Sequence, residues 1–385
     1  MKKFPIVILA ISLLSCGGNG SGMIEFSVPD RLSGQTDVLE LACDPIDTVD
    51  IALIGMEMRG IEAVRRLSNI DGVRIKAIFD NVPGNLANAQ AILKEMMHPV
   101  ADEYTGAEDW RAICEREDID LVYICTQDDL RASIAVFAME NGKHVATEAP
   151  AALTLDECWD LVNTAEKTRR HCIMLDKSCY DPFEMTTLNM AQLGFFGEVV
   201  RVESGDLNPT YAIGPAAQIL NIHRGDKMNY LLSVSGANNS IIKTEKGKTI
   251  LIRNDSVSSR PYDRLYNIVG TNAFAQKNPY QELSIVSYGA TWLPGEIRDS
   301  LLKAYRHPIV KKIKDIDLIA DYRLIYCLQN GLPLDQDVYD AAEWSAVLPL
   351  SVVSAKHNGK PVRFPDFTRQ SWDKIKGYKQ YKNDK

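Results

Sequence analysis

The residues with the clearest chemical potential stand at the ends of short apolar runs. Gly55-Met56-Glu57-Met58-Arg59-Gly60 follows the run Val49 to Ile54, and Asp80 closes a second run, Val73 to Phe79. A glycine-rich turn after a strand, with an acid ending the next strand, is how a dinucleotide is received. The first glycine makes the tight turn, a middle glycine lets backbone meet the pyrophosphate, the last lets helix and strand pack, and the acid binds ribose. Here Glu57 holds the middle place. Its side chain would fill phosphate space, and its charge would repel the diphosphate. Two readings stay open: a dinucleotide site with an altered turn, or a nucleotide-type scaffold that holds no dinucleotide.

Other groups have the right chemistry. Tyr180 follows the strand-like Cys172 to Leu175 and stands two residues before Pro182, a position that can face the same cleft as an acid or base. His223, in Ile222-His223-Arg224-Gly225-Asp226, either faces a site or fixes a helix end together with Asp226, and the second is the better reading. Asp128 and Asp129 suggest paired carboxylates, but adjacent residues at a strand end point apart, so a solvated turn is expected. Lys303, Lys311, Lys312 and Lys314 read as a solvated helix face. Cys43, Cys114, Cys125, Cys158, Cys172, Cys179 and Cys327 contain no CxxC pair, no disulfide framework and no zinc spacing, so most read as small core residues and no metal is expected.

These groups need a frame. Strand-like runs at 49–54, 73–80, 118–126 and 144–148 alternate with helical stretches, among them Ala132 to Asn141, and Glu148 ends the last of them. That alternation predicts an α/β fold with a Rossmann-type doubly wound parallel sheet. Runs at 249–254, 265–270 and 282–287, with a loop at 233–239, predict a following α+β domain built on an open, mostly antiparallel sheet. A chain of 385 residues exceeds one core, so two domains are expected, at 45–165 and 166–385. The open sheet face is suited to a second subunit, and a homo-oligomer is expected on that ground.

The net charge of −8 argues against nucleic acid or anionic lipid as partners, since both need a basic surface. Residues 1–22 read as a leader and tether: Lys2 and Lys3, the apolar stretch Ile6 to Leu14, then Leu13-Leu14-Ser15-Cys16 and Gly17 to Gly22. This resembles a bacterial lipobox, which makes Cys16 the lipidated new N-terminus; the alternative is a plain signal peptide with an incidental cysteine. The expectation is an exported bacterial lipoprotein, anchored in the membrane at the cell envelope and facing the periplasm.

Several blocks together resemble the glycoside hydrolase family 109 branch of the Gfo/Idh/MocA oxidoreductase superfamily. They include Met58-Arg59-Gly60, Asp118 to Thr126, Glu148-Ala149-Pro150-Ala151-Ala152, Thr164 to Cys172, Cys179-Tyr180-Asp181, Ile222 to Asp226, Arg260-Pro261-Tyr262, Asp321 to Cys327, Asn330 to Trp344 and Pro365 to Arg369. The resemblance covers nearly everything after the tether. It implies an NAD-dependent α-N-acetylgalactosaminidase-like protein acting on carbohydrate with an N-acetylgalactosamine-type sugar. In that chemistry NAD takes hydride from C3, a base removes the acidified C2 proton, the glycosidic bond eliminates, water adds and hydride returns. The resemblance assigns Met58, Arg59, Asp80 and Glu148 to NAD, places Thr210 and Tyr262 at the sugar, and makes Tyr180 the catalytic candidate.

The departures from the family fall on chemistry. Glu57 replaces the middle glycine, and Gln127 to Arg131 replaces a Trp and a His that cover the cofactor. Lys177 replaces an Asn. A long aromatic-rich stretch is missing where Glu203 to Leu207 runs into Asn208 to Pro215, and the family's His falls on Tyr211. A tyrosine titrates near ~10, a poor match for acid–base work at neutral pH. Lys311 to Asp315 replaces a Gly- and His-containing loop. With Lys2-Lys3 and no twin arginine, export is expected to be unfolded, into a compartment where NAD is scarce. Core blocks are intact. The expectation is a glycosidase-like protein that keeps its fold and loses its site. The alternative outcomes are altered catalysis, or a non-catalytic carbohydrate-binding or assembly lipoprotein.

Overall fold

Val49–Ile54 is buried at every position, as a strand covered on both faces requires. It is β1 of a computed structural model that describes residues 22–205, 210–234, 239–253 and 265–378. The expected lipidation site Cys16 and the expected substrate residue Tyr262 lie outside the described residues. After β1 come α1 (Met58–Leu67), β2 (Val73–Phe79), α2 (Pro83–Glu95), β3 (Asp102–Tyr104), α3 (Asp109–Cys114), β4 (Leu121–Ile124), α4 (Asp128–Glu140), β5 (His144–Glu148), α5 (Leu155–Thr168) and β6 (Cys172–Leu175). The strands pair in parallel in the order β3-β2-β1-β4-β5-β6, the doubly wound arrangement in which ligands meet the carboxyl edge.

Two boundaries differ from expectation. The first domain was expected to end at 165, yet β6 at 172–175 belongs to its sheet. α5 is the crossover that delivers β6 beside β5. It starts at a capping box, with Thr154 accepting from the Glu157 N–H and Glu157 reaching back, and it ends in a left-handed Arg169. The turn expected at Asp128 and Asp129 is instead the start of α4, four residues ahead of Ala132. Acids are favoured in a helix's first turn, where the dipole is positive.

The second domain comprises α6 (Pro182–Gln192), β7 (Val199–Gly205), α7 (Thr210–Ile219), β8 (Met228–Val234), β9 (Asn239–Thr244), β10 (Thr249–Arg253), β11 (Tyr266–Gly270), β12 (Ala273–Gln276), β13 (Glu282–Ile285), α8 (Gly295–Tyr305), α9 (Ile309–Lys312), α10 (Ile316–Gln329), α11 (Val338–Lys356) and β14 (Val362–Arg363). Its sheet runs β13-β12-β11-β7-β10-β9-β8-β14, and among the described residues only β7 and β10 pair in parallel. Burial alternates along β9, so one face is packed and the other open. The run expected at 282–287 is a strand only to Ile285; a short 3-10 turn, Val286–Tyr288, follows. Of the loop expected at 233–239, 233 and 234 belong to β8 and Asn239 to β9, while 235–238 lie outside the described residues.

The two domains are tied by returning chain. α10 packs Leu324, Ile325 and Leu328 into the core that holds Val49, Ile51 and Leu53. Glu166, fully buried on α5, receives Arg31 Nη2 at 2.9 Å from the N-terminal strap, Arg369 Nη1 at 2.7 Å from the tail and the Tyr339 hydroxyl at 2.7 Å from α11. Among the described residues seven thiols are unbridged, and burial pushes Cys114, Cys172 and Cys327 up to about 12, which leaves them inert at neutral pH.

His223 joins this internal scaffold. It sits at φ +61 in the turn after α7, its N–H donates to Asp226 O at 2.8 Å, and its buried Nε2 lies 2.6 Å from Glu343 Oε2 on α11. Burial opposes its charge, but Glu343, with Asp340 and Asp337 behind it, holds the imidazole at about 9. Because the folded value lies above the unfolded one near ~6.5, the stabilisation is complete below that pH and is lost as pH rises through about 9. Melting temperature is therefore expected to fall between neutral pH and pH ~10, and to fall less steeply in His223→Gln. Parallel curves for the two proteins would show that this pair does not titrate with folding.

Candidate functional site

At the carboxyl edge of the parallel sheet the chain must turn sharply out of β1. Gly55 does this at φ +96, and an added Cβ would stand 2.8 Å from the Thr126 nitrogen. At Gly60 an added Cβ would lie 1.8 Å from the Gly55 carbonyl oxygen, so α1 can rest on the turn only if residue 60 is glycine. Both glycines are needed for packing alone. Asp80 holds the same turn: its Oδ2 accepts the Met56 N–H at 2.7 Å, and its Oδ1 accepts Val82 N–H at 2.8 Å and Asn85 Nδ2 at 3.2 Å. The acid expected to bind ribose is thus 7% exposed and engaged with its own loop.

Beyond the turn lies a cleft of about 280 Å³, lined by Arg59, Glu148, Lys177, Tyr211 and Asp317 above Arg66, Tyr123 and Asp321. Its floor is a closed network. Arg66 Nε meets Asp321 Oδ2 at 2.7 Å, and the Tyr123 hydroxyl donates to Asp321 Oδ1 at 2.8 Å. Above it Lys177 Nζ lies 3.2 Å from Asp317. Burial opposes the charge of Arg59, but Glu148, Tyr211 and Asp317 outweigh that and raise its pKa. Burial raises Glu148, which Arg59 and Arg131 pull back only partly. Burial also pushes the Tyr211 hydroxyl up to about 12, helped by Glu148, so it stays protonated at neutral pH. Arg131 is buried, donating to Thr126 O at 3.0 Å and Pro150 O at 3.2 Å, which ties the exits of β4 and β5 together.

Of the expected site residues, the structure brings Arg59 and Glu148 together and places Asp80 beneath the turn. Met58 opens α1 and is 74% exposed. Tyr180 does not line the cleft: it is a core residue, 4% exposed, with Asp335, Tyr378, Cys179 and Arg323 around its hydroxyl, which burial drives far above its ordinary range. Thr210 is buried as the first residue of α7, and its neighbour Tyr211 takes the cleft position. The sequence reading missed Arg66, Tyr123 and Asp321. One signal was available: Asp321 and Arg323 interrupt an otherwise apolar helix, and buried charges require partners.

The donors do not fit a dinucleotide held through its pyrophosphate. Glu57 is the exposed N-cap residue of α1 and forms no capping bond, so a negative charge stands in the turn at the helix end where an anion would be received. Asp80 already accepts three bonds, and Arg131 is buried on the Thr126 and Pro150 carbonyls. Among the described residues no group of three or more His, Cys, Asp or Glu side chains could hold a metal ion.

Comparison with known proteins places these features. A family model described as "Oxidoreductase family, NAD-binding Rossmann fold" matches residues 49–175, and one described as "Glycosyl hydrolase 109, C-terminal domain" matches residues 236–374. "Glycosyl hydrolase family 109 protein 1" of Bacteroides fragilis is 40% identical over 459 residues, covering 98% of each chain. That span exceeds the 385 residues present here, so the relative carries segments that this chain lacks. An "Alpha-N-acetylgalactosaminidase" of Bacteroides fragilis is 42% identical, covering 89% of this chain and 97% of its own. In fold, the chain is similar to a levoglucosan dehydrogenase solved with NADH and levoglucosan, with a TM-score of 0.66 at 16% identity over 83% of this chain and 100% of the other.

If Asp80 serves the turn, its removal must cost stability with no nucleotide present. Asp80→Ala is expected to lower unfolding free energy by about 1–3 kcal/mol in urea melts, since it leaves the Met56 and Val82 N–H groups unpaired. An unchanged midpoint would mean that the carboxylate is held ready for a ligand instead.

Proposed function

Because the chain belongs to glycosyl hydrolase family 109, we propose that it is a glycosidase-like protein that has given up turnover and binds carbohydrate at the cell envelope. Its first domain is of the NAD-binding Rossmann type, and its relatives include an α-N-acetylgalactosaminidase. The observation that carries the proposal is the state of the cleft. Lys177 is paired with Asp317 and Arg66 with Asp321, Arg59 faces Glu148, and Asp80 is committed to the turn. No histidine lines it, and its tyrosine hydroxyl near the edge, Tyr211, titrates at about 12. The family's chemistry begins with hydride transfer to NAD, and the residues here offer that group no fitted seat, so no step is routed through it. What remains is a polar pocket with hydroxyl, guanidinium and carboxylate groups at the edge of a Rossmann sheet, the kind of surface on which sugar hydroxyls are recognised.

The envelope location rests on the leader and Cys16, and on the flexible tether that follows. Cys16→Ser is expected to move the protein from the membrane to the soluble fraction of its bacterial host; unchanged membrane retention would count against lipidation. For the activity, mature protein is to be incubated with added NAD and a chromogenic α-N-acetylgalactosaminide. No chromophore release above a blank is expected. Sustained release proportional to protein concentration would contradict the loss of turnover.

A further inference from the structure

The described residues begin at the edge of the second sheet. The Ile24 N–H donates to Pro361 O at 2.8 Å, and Ile24 O accepts the Arg363 N–H at 2.8 Å. The first residues thus form a parallel bridge to β14, which is an edge strand of that sheet. The strap beyond them is clamped, because Arg31 is bonded to Glu166 on α5. The point where the chain enters the fold is therefore fixed. Gly22 stands six positions after Cys16, a reach of at most ~22 Å at full extension. A folded chain of 385 residues has a radius of gyration near ~21 Å, so its width is about twice that reach.

The surroundings of that entry point differ in charge from the rest of the chain. Over the whole sequence acids outnumber bases, 51 to 43. Yet the two segments that build this edge, 228–244 and 344–365, contain no Asp or Glu, while they carry Lys243, Lys356, Lys360 and Arg363. Lys243 is turned onto the Gly247 carbonyl at 2.7 Å, and Arg363 is partly offset by Glu25 at 3.7 Å. Lys356 closes α11, and Lys360 follows in the turn that leads to β14. Both are exposed, and neither ammonium enters an ion pair among the described residues. Lys356 has a local use at the carboxyl end of α11, where the dipole favours a cation. Lys360, four residues on and outside the helix, has none. The same turn packs Gly359 against Val234, which ends β8 and is 59% exposed. Unpaired ammonium groups beside an exposed apolar side chain fit the boundary between anionic headgroups and acyl chains.

We propose that this β14 edge is the membrane-facing surface of the protein, with Lys356 and Lys360 set against anionic phospholipid headgroups. The proposal rests on the lipidation of Cys16. With a net charge of −8 the chain as a whole is not attracted to such a surface, so the lipid supplies the attachment and the two lysines supply the direction. The tether is short enough for that direction to be felt: it keeps the β14 edge within ~22 Å of the lipid-bearing residue, under three screening lengths of ~8 Å at physiological salt. Turned the other way, the acidic remainder of the chain would face the same headgroups and be repelled. Both effects favour one orientation.

The test uses the mature lipidated protein, reconstituted on vesicles of phosphatidylcholine alone and of phosphatidylcholine mixed with phosphatidylglycerol. Surface lysines are acetylated with a membrane-impermeant reagent, and the rate at each is read by mass spectrometry. On the anionic vesicles Lys356 and Lys360 are expected to react roughly fivefold more slowly than on the neutral ones, which corresponds to ~1 kcal/mol per lysine at such a surface. Lys94, exposed on α2 of the first domain, should react alike on both. Salt at ~1 M should restore the rates of Lys356 and Lys360, because it shortens the screening length to ~3 Å. Equal rates for these two lysines on both vesicles, a slowing of Lys94 as large as theirs, or protection that persists in high salt would overturn the proposal while leaving the lipidation intact. Failure of the protein to float with either vesicle would overturn the lipidation of Cys16, and this proposal with it.

Discussion

The carboxylate of Asp80 fixes the turn on which the rest of the nucleotide-type domain depends. Its acceptance of the Met56 N–H sets the path out of β1, and its other oxygen sets the path into α2. With Gly55 against Thr126 and Gly60 against Gly55, the turn is held wholly by protein groups. In a site that needs a dinucleotide, the same acid and the same helix end would be left for the ligand. The turn's own hydrogen bonds and glycine contacts explain how a Rossmann domain can keep its core while Glu57 occupies the middle of its turn.

Charge pairing across the cleft has the same sense. α10 comes back from the second domain and presents Asp317 to Lys177 and Asp321 to Arg66 and Tyr123. These contacts lie where the carboxyl edge of a doubly wound sheet would meet its ligand. Removing one partner of the buried Arg66–Asp321 pair would strand the other. The pair also joins the domains at the same seam that Glu166 and its two arginines close from the opposite side.

Much of this was legible in the residues. Strands β1, β2, β4 and β5 followed from apolar runs, whereas the short polar β3 gave no such signal, and the turn glycines and Asp80 fell at strand ends where periodicity leaves little freedom. Tyr211 was correctly read as a weak acid–base group, and burial makes it weaker still. What the sequence could not state was direction. A residue just past a strand end can face the cleft or the core, and Tyr180 faces the core while Lys177, three residues earlier, reaches the cleft. Nor could it state partners: Arg66 and Asp321 are 255 residues apart, and only the packing of α10 on α1 joins them. Asp80 was expected at ribose and is found bonded to its own turn, and an acid at a strand end looks the same in sequence for either use.

The proposal that this Rossmann domain holds no dinucleotide turns on whether NAD binds at all. The most direct measurement is to denature the mature protein and assay the supernatant for released NAD, then to titrate NAD into the native protein by calorimetry. No released nucleotide and no saturable heat are expected, with measurable NAD binding appearing only in Glu57→Gly, where the middle glycine is restored. Stoichiometric NAD released from the unaltered protein would contradict it.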